Sequence, residues 1–206
     1  MILRLYSTLT SPYGRIARIV LEEKGLLQKV NFIKVKTRGE NNPYYQLNPS
    51  GRVPALLLPD GTLLEDSILI SWYLDHLDGK PSFHIYDGEK ILEIKRLEAM
   101  ARSMLDGTSL WWREYLYRKE SERSETLIQH ERSRALRLAD KFEDEVDKSI
   151  LSGKLNMAQI VLACVLHGRD NANPKDFPWR EGRPKLKAWV ERIGKRHSIE
   201  NTKPPD

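Results

Sequence analysis

The sequence predicts an α/β domain followed by an all-helical one. Three observations lead there. Strand and helix patterns alternate up to about residue 78, only helical periodicity is present from about residue 88, and the stretch between, "DGKPSFHIYDGE", has the Gly, Pro and Asp of a linker. The expected domains are residues 1–78 and 88–206, joined over 79–87.

Each element has a local reason. "ILRLYS" is a short apolar strand. In "TSPYGRIARIVLEEKG", Ser11 caps a helix that Pro12 opens without losing a needed N–H. Ile16, Ile19 and Val20 recur at helical spacing, Glu22, Glu23 and Lys24 are expected to face water, and Gly25 ends the helix. "KVNFIKVKT" reads as a second strand through Val30, Phe32, Ile33 and Val35, and "RGENNPYYQLNPSGR" as a loop with a short irregular helix. "VPALLLPDGTLLED" holds two strands joined at Pro59-Asp60-Gly61, and "SILISWYLDHL" is a helix capped by Ser67 or Asp66. The order β-α-β-loop-β-β-α makes a small mixed sheet covered by helices.

Further on, "GEKILEIKRLEAMARSMLDGTSLWWREYLYRK" and "SETLIQHERSRALRLADKFEDEVDKSI" are two long amphipathic helices. "NMAQIVLACVLHGRD" is almost wholly apolar, opens with Asn156 and Gln159 at capping-box spacing, and is expected at the centre of a bundle. "RPKLKAWVERIGKR" is the last expected helix.

Composition narrows the function. The net charge of +5, from 34 basic and 29 acidic residues, is spread along the chain, so no nucleic-acid footprint is expected. No run approaches the ~18 apolar residues of a membrane span, and the start lacks a signal peptide's apolar core, so a cytoplasmic protein is expected. Cys164, the single cysteine, excludes an intrachain disulfide and a Cys-x-x-Cys pair; it sits in an apolar run and is expected to be buried and inert. His76, His84, His130, His167 and His197 have no metal-ligand spacing, and no metal is expected. Neither a Gly-rich phosphate loop nor a Gly-x-Ser-x-Gly elbow is present.

Three stretches, in order, then carry a resemblance: "TSPYGRIARIVLEEKGL", "NPSGRVPALLLPDGTLLEDSILISWYLD" and "LNMAQIVLACVL…WREGRPKLKAWVERI". With them the chain resembles the cytosolic glutathione S-transferase family, in its serine-type, bacterial-like form, over essentially its full length. The resemblance implies a thioredoxin-like glutathione-binding domain over 1–78 and a helical electrophile-binding domain over 88–206. It also implies glutathione as co-substrate, a homodimer and a role in detoxification. Two departures stand out. The central helix opens Asn156-x-x-Gln159 where the family has Ser/Thr-x-x-Asp, and the partner of the glycyl carboxylate is open among Arg38, Asn41, Asn42 and Arg52, of which spacing places only Arg52.

By the same resemblance, Val53-Pro54 is a cis bond that offers the Val53 backbone to glutathione's cysteinyl unit, as an added strand would. Asp66 and Ser67 open a helix, where N–H groups and the dipole favour an anion. Ser67 suits the γ-glutamyl carboxylate and Asp66 its ammonium. Ser11 is the candidate for the thiol. A free thiol titrates near ~8.5, and a hydroxyl donor at a helix N-terminus favours the thiolate. Thr10 and Tyr6 are the competing hydroxyls. Met104, Trp111, Trp112 and Tyr115 fall where the family opens its electrophile pocket, although aromatics on such a helix are more often core. The expected activity is glutathione transfer, or the peroxidase and dehalogenase chemistry of the same site. The alternative is a non-catalytic binding module in a protein assembly.

Overall fold

Alternation builds the first strand. In β1 (Leu3–Ser7), Leu3, Leu5 and Ser7 are buried while Arg4 is exposed. β2 (Val30–Lys34) pairs with it in parallel, β3 (Ala55–Leu57) pairs antiparallel on its other side, and β4 (Leu63–Glu65) closes the hairpin, giving the order β2-β1-β3-β4. The computed structural model describes residues 2–84, 88, 90–168 and 177–205. Its contacts divide the chain into one unit of Met1–His84 with His197–Asp206 and another of Ile85–Arg196.

In the first unit, α1 (Pro12–Glu23) buries Ile16, Ala17, Ile19 and Val20, and α3 (Ser67–His76) buries Ile70 and Leu74 against it. The loop expected to hold a short helix contains α2 (Tyr44–Leu47). The first turn of α1 lies so close to the sheet that a side chain at Gly14 would collide with Ser7 Oγ and force Ser7 to shift.

Two expectations differ from what is found. The last residues turn back to the first unit, where α9 (His197–Asn201) packs on α1, rather than ending the helical domain read over 88–206. For the same reason Glu22 and Glu23 do not simply face water. Glu22 accepts hydrogen bonds from His197 and Asn201, and Glu23 accepts one from Ser198. The Lys24 side chain is turned inward too, pairing with Asp78 at 2.9 Å and Asp75 at 3.6 Å. Charge on the far side of an isolated amphipathic helix predicts solvent; the returning tail changes that for Glu22 and Glu23, and Asp75 and Asp78 change it for Lys24.

The second unit contains α4 (Ile91–Tyr117), α5 (Glu125–Glu145), α6 (Ser149–Ser152), α7 (Met157–Leu166) and α8 (Pro184–Gly194). All ten residues of α7 are buried, Cys164 among them, and α4 and α8 pack on it. Its start is closed by the expected box: the Asn156 side chain accepts from Gln159 N–H, and the Gln159 side chain accepts from Asn156 N–H. Glu143 of α5 accepts the N–H groups of Lys185 and Leu186, an anion at the start of α8. Part of the linker read over 79–87 (residues 85–87) and the end of the run read through Asp170 lie outside the described residues. Among the described residues, no helix is long and apolar enough to cross a membrane.

Candidate functional site

Strand register decides which loops meet. Tyr6 of β1 stands opposite Ala55 of β3, and Ala55 stands opposite Glu65 of β4. One row across the sheet therefore carries the end of β1, the start of β3 and the end of β4. The segments that extend from that row are 8–11, 52–54 and 66–67. Residues 56 positions apart in sequence thus come to the same end of one small sheet through pairing alone.

Ser11 is the N-cap of α1 and half-exposed. Its Oγ accepts from Gly14 N–H at 3.1 Å, its carbonyl accepts from Arg15 N–H, and its own N–H donates to Thr8 Oγ1 at 3.1 Å. Because Oγ acts only as an acceptor in the cap, its proton is left to donate elsewhere. Thr10 is exposed, with its hydroxyl 3.5 Å from that of Thr8; Tyr6 is half-exposed, its ring 6.1 Å from that of Tyr44.

The Val53–Pro54 bond is cis. Among the described residues, neither the N–H nor the C=O of Val53 has a hydrogen-bond partner. Backbone groups normally find partners, so this half-buried pair is a place where an extended ligand can add its own. The loop before it is held rigidly. Arg52 C=O accepts from Tyr44 Oη at 2.6 Å and from Asn48 Nδ2 at 3.0 Å, while Ser50 Oγ donates to Glu65 at 2.5 Å. Burial pushes the Tyr44 phenol above its ordinary pKa, with the carboxylate of Glu65 adding in the same sense. The Arg52 side chain is exposed. Tyr44 and Asn48 were not among the residues expected from sequence. The signal available was "NNPYYQLNPSGR", whose turn-formers announce a loop without saying which carbonyl its polar groups will hold.

Asp66, not Ser67, caps α3. Its Oδ1 accepts from Ile68 N–H at 2.7 Å, and its φ of 77° is one that side-chain-bearing residues seldom adopt. Such a backbone costs on the order of 1–3 kcal/mol and collects at functional sites. Ser67 follows as the first helical residue and is 4 % exposed.

The aromatic candidates of the helical unit separate into two pairs. Met104 has no exposed surface and Trp111 is 3 % exposed, its ring edge-on to Phe177 at 5.5 Å, so both lie in the interior of the bundle. Trp112 and Tyr115 are half-exposed, 6.1 Å apart, with the Arg123 guanidinium 4.9 Å from the Tyr115 ring.

A four-stranded mixed sheet with a cis-proline at the start of its central antiparallel strand, joined to a helical bundle, defines the thioredoxin-like class to which glutathione transferases belong. Comparison with known proteins agrees in both parts. Residues 10–77 match the glutathione S-transferase N-terminal domain and residues 125–192 the C-terminal domain. The chain is 30% identical over 204 residues to the uncharacterized GST-like protein YibF of Escherichia coli (strain K12), covering 98% of this chain and 99% of that one. A glutathione transferase family member from Pseudomonas fluorescens Pf-5, solved with bound glutathione, superposes with a TM-score of 0.89 at 31% identity over 99% of this chain and all of that one. A glutathione S-transferase of Methylobacillus flagellatus, also with glutathione bound, gives 0.86 at 26% identity over 98% of this chain and 100% of that one. The chain belongs to the glutathione S-transferase family.

Proposed function

We propose that the chain is a glutathione transferase: it binds glutathione along the Tyr6–Ala55–Glu65 end of the sheet and ionises its thiol for attack on an apolar electrophile. The open backbone pair of Val53 is the observation that carries the reading, because it asks for an extended peptide partner. Bound glutathione in the Pseudomonas relative supports it. Ser67, at the start of a ten-residue helix, receives the γ-glutamyl carboxylate, and the Asp66 carboxylate receives the ammonium. Arg52 is the partner for the glycyl carboxylate.

Chemistry then falls to Ser11. Its hydroxyl donates to the glutathione sulfur while its oxygen stays in the cap, and the positive end of α1 adds to the effect, so the thiol loses its proton more readily than in water. The thiolate attacks an electrophilic carbon, a C–S bond forms, and the leaving group departs with the electron pair. Trp112 and Tyr115 are the aromatic surface offered to an apolar electrophile. Assembly as a homodimer, a cytosolic location and a role in detoxification belong to the same reading. The exposed apolar side chains Ile68, Leu69 and Trp72 of α3 support pairing, and light scattering at a mass near 24.0 kDa would count against it.

A glutathione-affinity column followed by an assay with a generic aryl halide tests the whole. Retention with turnover is expected. Retention with no turnover on a panel of electrophiles would favour a binding module, and no retention would remove the proposal.

A further inference from the structure

At the other end of α3, about 12–14 Å from Ser67 at ~1.5 Å of rise per residue, the chain brings together Asp75, His76 and His84. One ligand-type atom from each lies within 4.8 Å of the others. We propose that this cluster binds a divalent transition metal of the kind that imidazole prefers, zinc or copper, through Nε2 of His76 and Nε2 of His84, with Asp75 as the carboxylate behind His84.

The hydrogen bonds assign these roles. His84 Nδ1 lies 3.0 Å from Asp75 Oδ2 and His76 Nδ1 lies 2.7 Å from the carbonyl oxygen of Trp72. Both acceptors lack protons, so each ring in its neutral form carries its proton on Nδ1, and Nε2 is then the nitrogen able to ligate. Metal-binding histidines are prepared in this way, with the other nitrogen donating to a carboxylate or a backbone carbonyl. The His84 side chain is 9% exposed, and among the described residues its buried Nε2 has no hydrogen-bond partner. A buried lone pair with nothing to accept is costly, and a metal ion would relieve it.

Ring placement comes within about 1 Å of what a shared ion needs. Two imidazoles on one tetrahedral ion, at Zn–N of about 2.0–2.1 Å, put their centres roughly 5 Å apart. The rings of His76 and His84 are 5.9 Å apart, with their planes inclined at 50°. Asp75 is already committed. Its oxygens accept the N–H groups of Ser82, Phe83 and His84 at 2.8–2.9 Å, besides the His84 ring, so it orients a ligand and is not one. Trp72 stacks on His76 at 4.6 Å and restrains that ring too. The consequence is a staple. An ion held by His76 and His84 ties the end of α3 to a point eight residues further along the chain, and water completes its coordination.

Calorimetric titration of the full chain, without a histidine tag and after treatment with a chelator, tests this with Zn2+ alone. Glutathione is left out because its thiol is itself a zinc ligand. One ion per chain is expected, with a Tm that rises with zinc and falls back with chelator. His84→Gln and His76→Phe should each abolish that binding; the first keeps a donor for Asp75 and the second keeps the stack on Trp72. Asp75→Asn should weaken it by about 10–100-fold, and a His130→Gln/His197→Gln double variant should bind as the parent does. Quenching of tryptophan emission by Cu2+ should shrink in Trp72→Phe. Absence of binding at millimolar zinc, or equal binding by a His76→Phe/His84→Gln double variant, would overturn the assignment.

Discussion

The start of α7 and the starts of α1 and α3 use the same capping chemistry to different ends. At α7, Asn156 and Gln159 are 4% and 3% exposed, and each satisfies the other's N–H. Their side-chain amides also donate to the carbonyls of Ile150 and Leu151. The capping groups there are consumed by the fold. At α1 the cap is the half-exposed Ser11, at α3 the exposed Asp66, and both stand at the sheet end where the Val53 backbone is open. A helix N-terminus whose cap reaches solvent is open to a ligand. Buried and reciprocally bonded, the same group is mortar.

The largest effect is expected at α7. Asn156→Ala removes a cap and strands buried partners at Gln159 and Ile150, which should cost about 2–4 kcal/mol in a urea titration. Glutathione affinity of the molecules that remain folded should not change. A large loss of affinity at constant stability would erase the distinction between the two kinds of cap.

Next comes Ser67→Ala. Loss of a hydrogen bond to a charged group is worth about 1.5–3 kcal/mol, or roughly 10–100-fold in the KM for glutathione, with a smaller effect on kcat. An unchanged KM would mean that the start of α3 does not hold the γ-glutamyl carboxylate.

The smallest effect concerns the scaffold behind Val53. Tyr44→Phe deletes the donor to Arg52 C=O and should cost about 1 kcal/mol at neutral pH. The Tyr44 pKa is raised in the folded state, chiefly by burial. Its contribution is therefore full below the unfolded phenol value near ~10 and lost as pH rises through the higher folded value. Wild type and Tyr44→Phe should converge in stability at strongly alkaline pH. A gap that widens there would reverse the sign.

Much of this molecule was legible in advance because its signals are local. Alternation in "ILRLYS", the Asp60-Gly61 hairpin and the Asn156/Gln159 spacing each specify an element without reference to the rest of the chain. From local signals alone Ser11, Val53 and Ser67 are separate turns and caps; the family resemblance joined them in one expected site, and strand register puts the segments that carry them at one end of the sheet. What stayed hidden depends on distant partners. Glu22 and Glu23 read as solvent-facing because nothing in their own helix announces that residues 197–201 return to them. Met104 and Trp111 share a helix with Trp112 and Tyr115, and periodicity did not say which aromatic rings the bundle would bury. His76 and His84 are eight residues apart, outside familiar ligand spacings, and meet because Asp75 folds the intervening loop onto itself.

The central claim is that the half-exposed cap Ser11 at this sheet end ionises a bound thiol. The measurement that addresses it most directly is the pH titration of thiolate absorbance for glutathione bound to wild type and to Ser11→Gly. Glycine caps within a few tenths of a kcal/mol of serine but has no hydroxyl, so the fold is preserved while the donor is lost. Bound glutathione should titrate below the ~8.5 of a free thiol in wild type and move back toward it in Ser11→Gly, with neutral-pH turnover falling about 10-fold per pKa unit. Identical titrations in the two proteins would contradict the account, leaving Ser11 as a cap and moving the question to Thr10→Val and Tyr6→Phe.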